Sequence, residues 1–318
     1  MTRPARLLAL ALALLVGAQA PAPLEVTARP VPLNPEDAAQ DRLGRLRFLG
    51  GLVLRSGDSR VGGISGMRFL ADGRLMAVTD NGDQLFLTLA ERGDRLTGVA
   101  GLSLARLAGP DGQPVRGKAD ADAEALELDA DGTPVIAFER RHRVMRYPPG
   151  GRLPRPLRLP DEAWLASLPP NGGIEAMARA GDMWLFLAED PPAGRHAGLL
   201  VAANRADGAF GRPRLDPPPG FKPTDAAALD DDLIAILFRR FSAATGVAAA
   251  IGIVRIDRDR LTLGPVELVA SFAPPLSVDN FEALAVRRMG ARTFLYVASD
   301  DNFSPLQRSL LLKFELLP

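Results

Sequence analysis

The sequence predicts an all-β fold, namely a single β-propeller with five four-stranded blades, with six blades as the alternative. A polar or acidic residue recurs at intervals of 59, 51, 50 and 57 residues, a period typical of propellers and solenoids. Helical periodicity is nearly absent, and connections rich in proline and glycine separate the units. The recurring residues are Ser65, Glu124, Glu175, Asp225 and Glu282.

A second polar residue follows each of these five after 15, 15, 14, 14 and 18 positions, and a turn rich in glycine or aspartate lies between them. The second members are Asp80, Glu139, Glu189, Arg239 and Asp300. Because a hairpin returns its two ends to the same edge of a sheet, all five pairs should face one way. The innermost strand of each blade lines the axis, so the pattern predicts a polar ring at one mouth of the central channel.

Each period has room for four short strands. In the fourth unit we predict strands at 225–229, 233–238, 249–256 and 266–272. Only three strands fit in the last unit, near 281–287, 292–299 and 308–316, and the alternately apolar segment 43–55 should supply the missing outer strand and close the ring. A short helix is expected from Asp161, between the second and third units.

The N-terminus has the three-part order of a secretory signal peptide: two arginines, the apolar run 7–17, and an A-x-A site at 18–20. The run is too short to span a bilayer as a helix. We therefore predict a signal peptide at 1–20, an N-terminal linker at 21–42 and the propeller domain at 43–318. The expected product is a periplasmic monomer with no stable membrane anchor.

Composition excludes several kinds of site. The chain has no cysteine, which excludes disulfides, thiolate metal sites and a cysteine nucleophile, and its two histidines exclude a histidine-rich metal site. Without Arg3 and Arg6, the 38 basic residues fall to 36 against 38 acidic ones, a net charge of −2. This balance does not predict a nucleic-acid partner.

The acidic side chains around the mouth predict a metal site. Two carboxylates about 4 Å apart repel each other by about 1 kcal/mol in water and about 4 kcal/mol at a partly buried site. Oxygen-only donors of this kind are the ligands of calcium. The predicted ligands are Asp80, Glu124, Glu139, Asp190, Asp225, Glu282, Asp300 and Asp301. The alternative is that these acids only accept backbone hydrogen bonds at strand ends.

Basic side chains at matching loop positions predict a site for a small anionic or ester substrate, since guanidinium groups pair with phosphate and carboxylate. They are Arg140, Arg141, His142, Arg239, Arg240 and Arg308. Ion pairing with the acidic ring is the alternative. The segment around Ser65 lacks the second glycine of G-x-S-x-G, so we expect metal-assisted hydrolysis with Glu175 or Glu189 as general base.

Several motifs in order carry a family resemblance: GGISGM with TDNGD, DAEAL, NGGIEAM, TDAAAL, and NFEALAV with ASDDNFSPLQRSLLLKFEL. Over about residues 43–318 the chain resembles the bacterial phytase-like propeller family, which is named for an esterase-like activity of phytase. This resemblance implies a phosphoester substrate and calcium at the axial site.

More distantly, the acidic strand starts and ends resemble gluconolactonase and paraoxonase propellers, in which one axial calcium activates lactones or esters. The resemblance assigns Glu124, Glu175 and Glu282 to the strand starts, and the strand ends to Asp80, Glu139, Glu189 and Asp300. The chain departs from the pattern at Ser65 and Arg239. It also has five units and three lysines, whereas β-propeller phytases have six blades and a lysine-rich phosphate shelf. Phosphoesterase, calcium-dependent esterase or lactonase, and non-catalytic ligand-binding propeller are therefore the three functions considered.

Overall fold

The computed structural model describes residues 23–159, 161–189, 199–205, 208–242, 244 and 246–318. The predicted signal peptide at 1–20 lies outside these residues. Five antiparallel sheets surround one axis. No helix in the described part of the chain is long and apolar enough to cross a membrane.

Four short strands precede the first unit: β1 (Pro23–Leu24), β2 (Thr27–Val31), β3 (Arg42–Leu43) and β4 (Leu46–Arg55). Blade 1 contains β5 (Ile64–Phe69), β6 (Leu75–Thr79), β7 (Asp83–Arg92) and β8 (Arg95–Arg106). The short helix α1 (Lys118–Ala121) leads into blade 2, which contains β9 (Ala123–Leu128), β10 (Pro134–Phe138), β11 (Arg143–Arg146) and β12 (Arg155–Pro156).

Helix α2 (Glu162–Ala166) follows blade 2, as predicted, and the Asp161 side chain caps it by accepting from the Trp164 amide at 2.8 Å. Blade 3 contains β13 (Ile174–Ala180), β14 (Met183–Ala188), β15 (Leu199–Arg205), β16 (Phe210–Gly211) and β17 (Arg214–Leu215). Blade 4 contains β18 (Lys222–Ala228), β19 (Leu233–Ser242), β20 (Gly246–Asp257), β21 (Thr262–Leu263) and β22 (Glu267–Phe272).

Blade 5 joins the two ends of the chain. Strands β23 (Phe281–Met289), β24 (Arg292–Ser299) and β25 (Ser309–Leu316) come from the C-terminus, and β25 pairs with β4 from Ser309↔Leu54 to Leu316↔Leu46. The inner strands β5, β9, β13, β18 and β23 pack side by side in a closed ring. The predicted all-β propeller and its closure by an N-terminal strand are therefore confirmed.

Most turns that connect inner strands to their neighbours contain glycine with positive φ, as at Gly73, Gly132, Gly181 and Gly290. Only glycine adopts this backbone conformation at no steric cost, and it keeps the hairpins tight. Apolar side chains from facing sheets then fill the space between blades; the largest of the resulting clusters lies between blades 4 and 5 and includes Phe272, Phe281 and Phe314.

The segment 21–42, predicted as a linker, is largely built into the fold. Strand β1 pairs with β8 in blade 1, and β2 pairs with β4 in blade 5. Leu33 is 1% exposed within the core, and its carbonyl accepts from the Ser277 amide at 2.8 Å. Edge strands of this kind are short and tolerate proline, here Pro30, which is why the sequence resembles a linker.

Replacing Leu33 by alanine should therefore lower the free energy of unfolding by about 2–5 kcal/mol, since a buried leucine leaves a cavity. The control is Leu306→Ala, whose side chain is 92% exposed and whose loss should change stability by less than about 0.5 kcal/mol. Urea unfolding of both variants measures the difference. Equal midpoints for the two variants would mean that the N-terminal segment is not part of the core.

Candidate metal and substrate site at the axial face

The five inner strands share one irregularity near their start. In each, the pairing with the next strand skips one residue, which forms a β-bulge. Bulges re-aim a side chain and are common beside functional sites. The skipped residues, which we call the bulge ring, are Ser65, Glu124, Glu175, Thr224 and Glu282.

The second members of the sequence pairs also occupy equivalent places. Each one directly follows the residue of the second strand that pairs with the inner-strand residue immediately before the bulge. The amides of Asp80, Glu139 and Asp300 donate to carbonyls two residues before the bulge residue, at 3.0, 2.8 and 2.9 Å. Glu189 repeats the contact at 3.3 Å, and Arg239 continues the ladder opposite Lys222. The strand ends and the bulge ring therefore share one face of the propeller, which we call the axial face.

The structure corrects the prediction for Asp225. The bulge residue of blade 4 is Thr224, and Asp225 lies one position further, 0% exposed. Its carboxylate accepts from the amides of Ala226 (2.8 Å) and Leu284 (2.7 Å) and from the guanidinium of Arg68. Burial raises its pKa to about 7, while Arg68 opposes this rise. These contacts occupy its oxygens, so Asp225 is not a ligand at the mouth.

Blade 2 carries the most compact acidic group. One carboxylate oxygen from each of Asp122, Glu124 and Glu139 lies within 4.8 Å of the others, so this cluster could hold a metal ion. Asp122 is fully buried and is paired with Lys118 and Arg140, each at 2.6 Å. Sequence reasoning missed Asp122 and Lys118; the signal was a further acid two residues before the bulge position in DADAEAL.

Two glutamates of the bulge ring, Glu124 and Glu175, have raised pKa values. Burial raises the pKa of Glu124 well above its ordinary value, and the nearby Glu175 adds to the effect. Burial likewise raises the pKa of Glu175 well above its ordinary value, with further contributions from Glu189 and Glu139. These groups favour the protonated form unless a cation is present.

Blade 5 adds two more such carboxyls. Burial raises the pKa of Asp300 to about 8, and the charge of Glu282 contributes. Burial also raises the pKa of Glu282, although Arg239 and the Asn280 amide, which donates at 2.8 Å, oppose the shift. Carboxyls with raised pKa values are thus found on this face in blades 2, 3 and 5.

The strand-end acids Asp80 and Glu139 follow the same rule, because burial raises the pKa of both. Lys118 donates to Asp80 Oδ2 at 2.6 Å, and the buried Oδ1 of Asp80 has no hydrogen-bond partner. A crowded set of oxygen donors with raised pKa values fits a hard divalent cation, which would remove the need for protonation.

Blade 4 brings positive charge to the same face. Arg239 lies 3.4 Å from Glu282 and 3.7 Å from Glu189, and Lys222 also lies 3.7 Å from Glu189. A cavity of about 230 Å³ opens here. We call it the basic recess; it is lined by Glu189, Gly220, Lys222, Arg239, Arg240 and Phe241.

Other predicted substrate-binding residues have structural partners. Arg141 is exposed and pairs with Asp120 at 2.7 Å, and His142 Nε2 contacts the Pro169 carbonyl at 3.0 Å. Arg308 bonds to Asp279 and Val278 in the loop that precedes β23. The Arg140 side chain pairs with Asp122 and so belongs with the acidic cluster. Of the six predicted residues, Arg239 and Arg240 line the basic recess.

Two predicted metal ligands remain. Asp301 accepts from the amides of Gly63 (3.0 Å) and Phe303 (3.1 Å) and from the Ser309 hydroxyl, so its carboxylate joins the loop after β24 to the segment before β5. Asp190 lies outside the described residues.

Comparisons with known proteins give one family match. The model of a family described as Phytase-like, esterase-like activity of phytase, matches residues 59–303. No curated protein matches the chain.

Solved structures show distant similarity. Virginiamycin B lyase from Staphylococcus aureus has a TM-score of 0.43 and 9% identity, over 92% of this chain and 100% of that one. A gluconolactonase from Xanthomonas campestris has a TM-score of 0.43 and 15% identity, over 94% and 97%. The allergen Mala s 1 from Malassezia sympodialis has a TM-score of 0.42 and 14% identity, over 89% and 93%.

The raised pKa values predict how stability depends on pH. A carboxyl whose pKa is higher in the folded than in the unfolded state binds its proton more tightly when folded, so stability falls as that proton is lost. The thermal midpoint of the chelator-treated protein should therefore fall between about pH 4, the ordinary carboxyl value, and about pH 8, the value for Asp300. Added calcium should reduce the fall. A midpoint that rises over this range would contradict the burial of these groups.

Proposed function

The chain belongs to the Phytase-like family, and from this premise we propose that it is a hydrolase that cleaves a phosphoester with the help of a divalent metal, calcium, at the axial face. One observation carries the proposal: an acidic cluster that suits a metal and a basic recess that suits an anion share this face. The leader-like residues 1–20 support export, so we further propose that the protein acts in the periplasm as a monomer.

The metal would be held by Asp122, Glu124 and Glu139, which supply oxygen donors in one group. A bound divalent cation polarises the substrate and lowers the pKa of a bound water. Each oxygen of the buried Asp122 already pairs with a cation, Oδ1 with Lys118 and Oδ2 with Arg140, so a bound metal would share this carboxylate with them.

The anionic part of the substrate would bind in the basic recess. Arg239 offers a guanidinium with paired N–H donors, and Lys222 adds a second cation. Both already lie near Glu189, so an incoming phosphate would share these cations with that carboxylate. Because Glu189 of the recess is near enough to Glu139 to interact with it electrostatically, a phosphate bound here would lie on the same face as the acidic cluster.

The two glutamates of blade 3 would carry the proton transfers. Glu189 lines the recess and is paired with cations, so it is the group to accept a proton from the attacking water. The raised pKa of Glu175 favours a protonated carboxyl, which can donate to the leaving oxygen. Two carboxyls in different environments can in this way serve as base and acid.

An esterase or lactonase is the second candidate, because large apolar side chains are exposed near the same mouth. Phe241, which lines the recess, is 69% exposed, and Leu306 is 92% exposed. Phe303 is 37% exposed and lies against Gly63, close to Asp80. Such a mouth suits the apolar part of an ester.

Hydrolysis of nitrophenyl phosphate and nitrophenyl acetate, each with calcium and with chelator, separates the candidates. We expect phosphate release that chelator abolishes. Ester hydrolysis alone would favour the second candidate, and no hydrolysis of either substrate would favour a non-catalytic binding propeller.

The variant Glu175→Gln should lower kcat for an alkyl phosphomonoester, whose leaving alkoxide needs a proton, by about 10²–10⁴-fold, because an amide cannot donate the proton as an acid. The matched control is Glu267→Gln, since Glu267 is an exposed partner of Arg45 outside the axial face. Steady-state kinetics of both variants provide the test. Unchanged kcat in Glu175→Gln would exclude Glu175 from the reaction.

The variant Arg239→Met should lower kcat/KM for nitrophenyl phosphate by about 10–100-fold, since a hydrogen bond to a charged group contributes about 1.5–3 kcal/mol. Hydrolysis of the neutral acetate should change less. Arg141→Met is the control, because Arg141 is 67% exposed and pairs with Asp120. An equal loss in both variants would refute phosphate binding in the recess.

A further inference from the structure

Arg68 lies on β5, three residues after the bulge residue Ser65, and its side chain is only 7% exposed. Its guanidinium donates to backbone carbonyls of four different inner strands. The acceptors are Met67 (2.7 Å), Leu284 (2.8 Å), Met177 (2.8 Å) and Ala226. Each acceptor lies two residues after the bulge residue of its own strand. These carbonyls therefore point to the axis at one level, and Arg68 occupies their centre.

The remaining inner strand is reached through a side chain. Glu127 of β9 lies 3.2 Å from Arg68 Nε, and Asp225 of β18 lies 3.2 Å from Nη1. One guanidinium thus contacts all five inner strands. Two buried carboxylates lie against it, and an opposite charge of this kind is the condition for keeping an arginine inside a protein.

The two carboxylates also join neighbouring blades. Asp225 Oδ2 accepts from the amide of Leu284 in blade 5, at 2.7 Å. Glu127 Oε2 accepts from the amide of Arg179 in blade 3, at 3.3 Å. Between blades 1 and 2 the approach is so close that a Cβ on Gly66 would lie 2.9 Å from the Leu126 amide nitrogen. The relative heights of the strands are therefore set at this level of the axis.

The bulge ring lies close to this level, because two residues of a strand span only about 7 Å. A strand that slides along the axis would carry its bulge side chain with it. We infer that Arg68 is the positioning residue of the axial face: it fixes the mutual distances of Glu124, Glu175 and Glu282. The inference rests on the proposed function in so far as Glu124 holds a metal and Glu175 donates a proton.

Chemical rescue tests this role. In Arg68→Ala, Glu127 of β9 loses its ion pair three residues after the metal ligand Glu124, so calcium affinity should fall by about 10–100-fold, as for other groups that support metal ligands. Guanidinium from millimolar guanidinium chloride should occupy the position that the Arg68 side chain has left. It should thereby raise the thermal midpoint of the variant and restore its calcium affinity. The same salt should not raise the midpoint of the wild-type protein.

Two further variants keep the test decisive. Arg68→Lys is the substitute if the alanine variant does not fold. We expect reduced calcium affinity in this variant as well, because a single ammonium group cannot reach all the acceptors. Arg74→Ala is the control, since Arg74 forms an exposed pair with Asp72 on the same blade. Calcium affinity at the wild-type level in Arg68→Ala, or in Arg68→Lys if the former is unfolded, would overturn the inference.

Failure of the proposed function has a different signature. If the wild-type protein binds no calcium, the metal site is refuted. The effect of guanidinium on the thermal midpoint of Arg68→Ala still decides whether a guanidinium on the axis sets the strand positions, because this readout needs neither metal nor substrate. If guanidinium does not raise this midpoint, the positioning role of Arg68 is refuted as well.

Discussion

The fold depends on one buried guanidinium at its centre. Apolar side chains between the blades hold the sheets together. Such contacts are non-directional, so they do not fix the position of one inner strand relative to the next along the axis. The hydrogen bonds of Arg68 are directional, and they end on equivalent carbonyls of β5, β13, β18 and β23. Its ion pair with Glu127 adds β9. A buried charge needs hydrogen bonds and opposite charges around it, so the same contacts that compensate Arg68 align the five strands.

The alignment matters because the side chains above it repel one another. Glu124, Glu175, Glu282 and Asp300 are held close enough that burial and mutual charge raise their pKa values. Blade 4 interrupts this acidity, with Thr224 in the bulge ring and Arg239 at the strand end. The face is thereby divided into an acidic side that suits a cation and a basic side that suits an anion. This division, more than the fold itself, supports a metal-dependent hydrolase, since propellers host many unrelated functions.

Much of this arrangement could be predicted from sequence, because hairpins leave a regular spacing of turns and polar strand ends. The strands of the fourth and last units, closure by β4 and the common face of the strand-end residues followed from that spacing. The exact residue of each bulge could not be predicted. In TDAAAL, Asp225 was chosen because it is acidic, but the bulge lies one residue earlier, at Thr224, and a shift of one residue directs the Asp225 side chain into the core. Arg68 and Glu127 were overlooked because each resembles an ordinary strand residue. Their signal was opposite charge at equivalent positions of two inner strands, each three residues after the bulge residue.

The axial carboxylates can serve the proposed hydrolysis only if they bind a metal. The most direct measurement is a crystal structure of the protein grown at neutral pH with calcium. We expect an ion about 2.3–2.6 Å from carboxylate oxygens of Asp122, Glu124 and Glu139. Crystals with calcium in solution but only water, or a direct carboxyl–carboxylate hydrogen bond, at this cluster would contradict it.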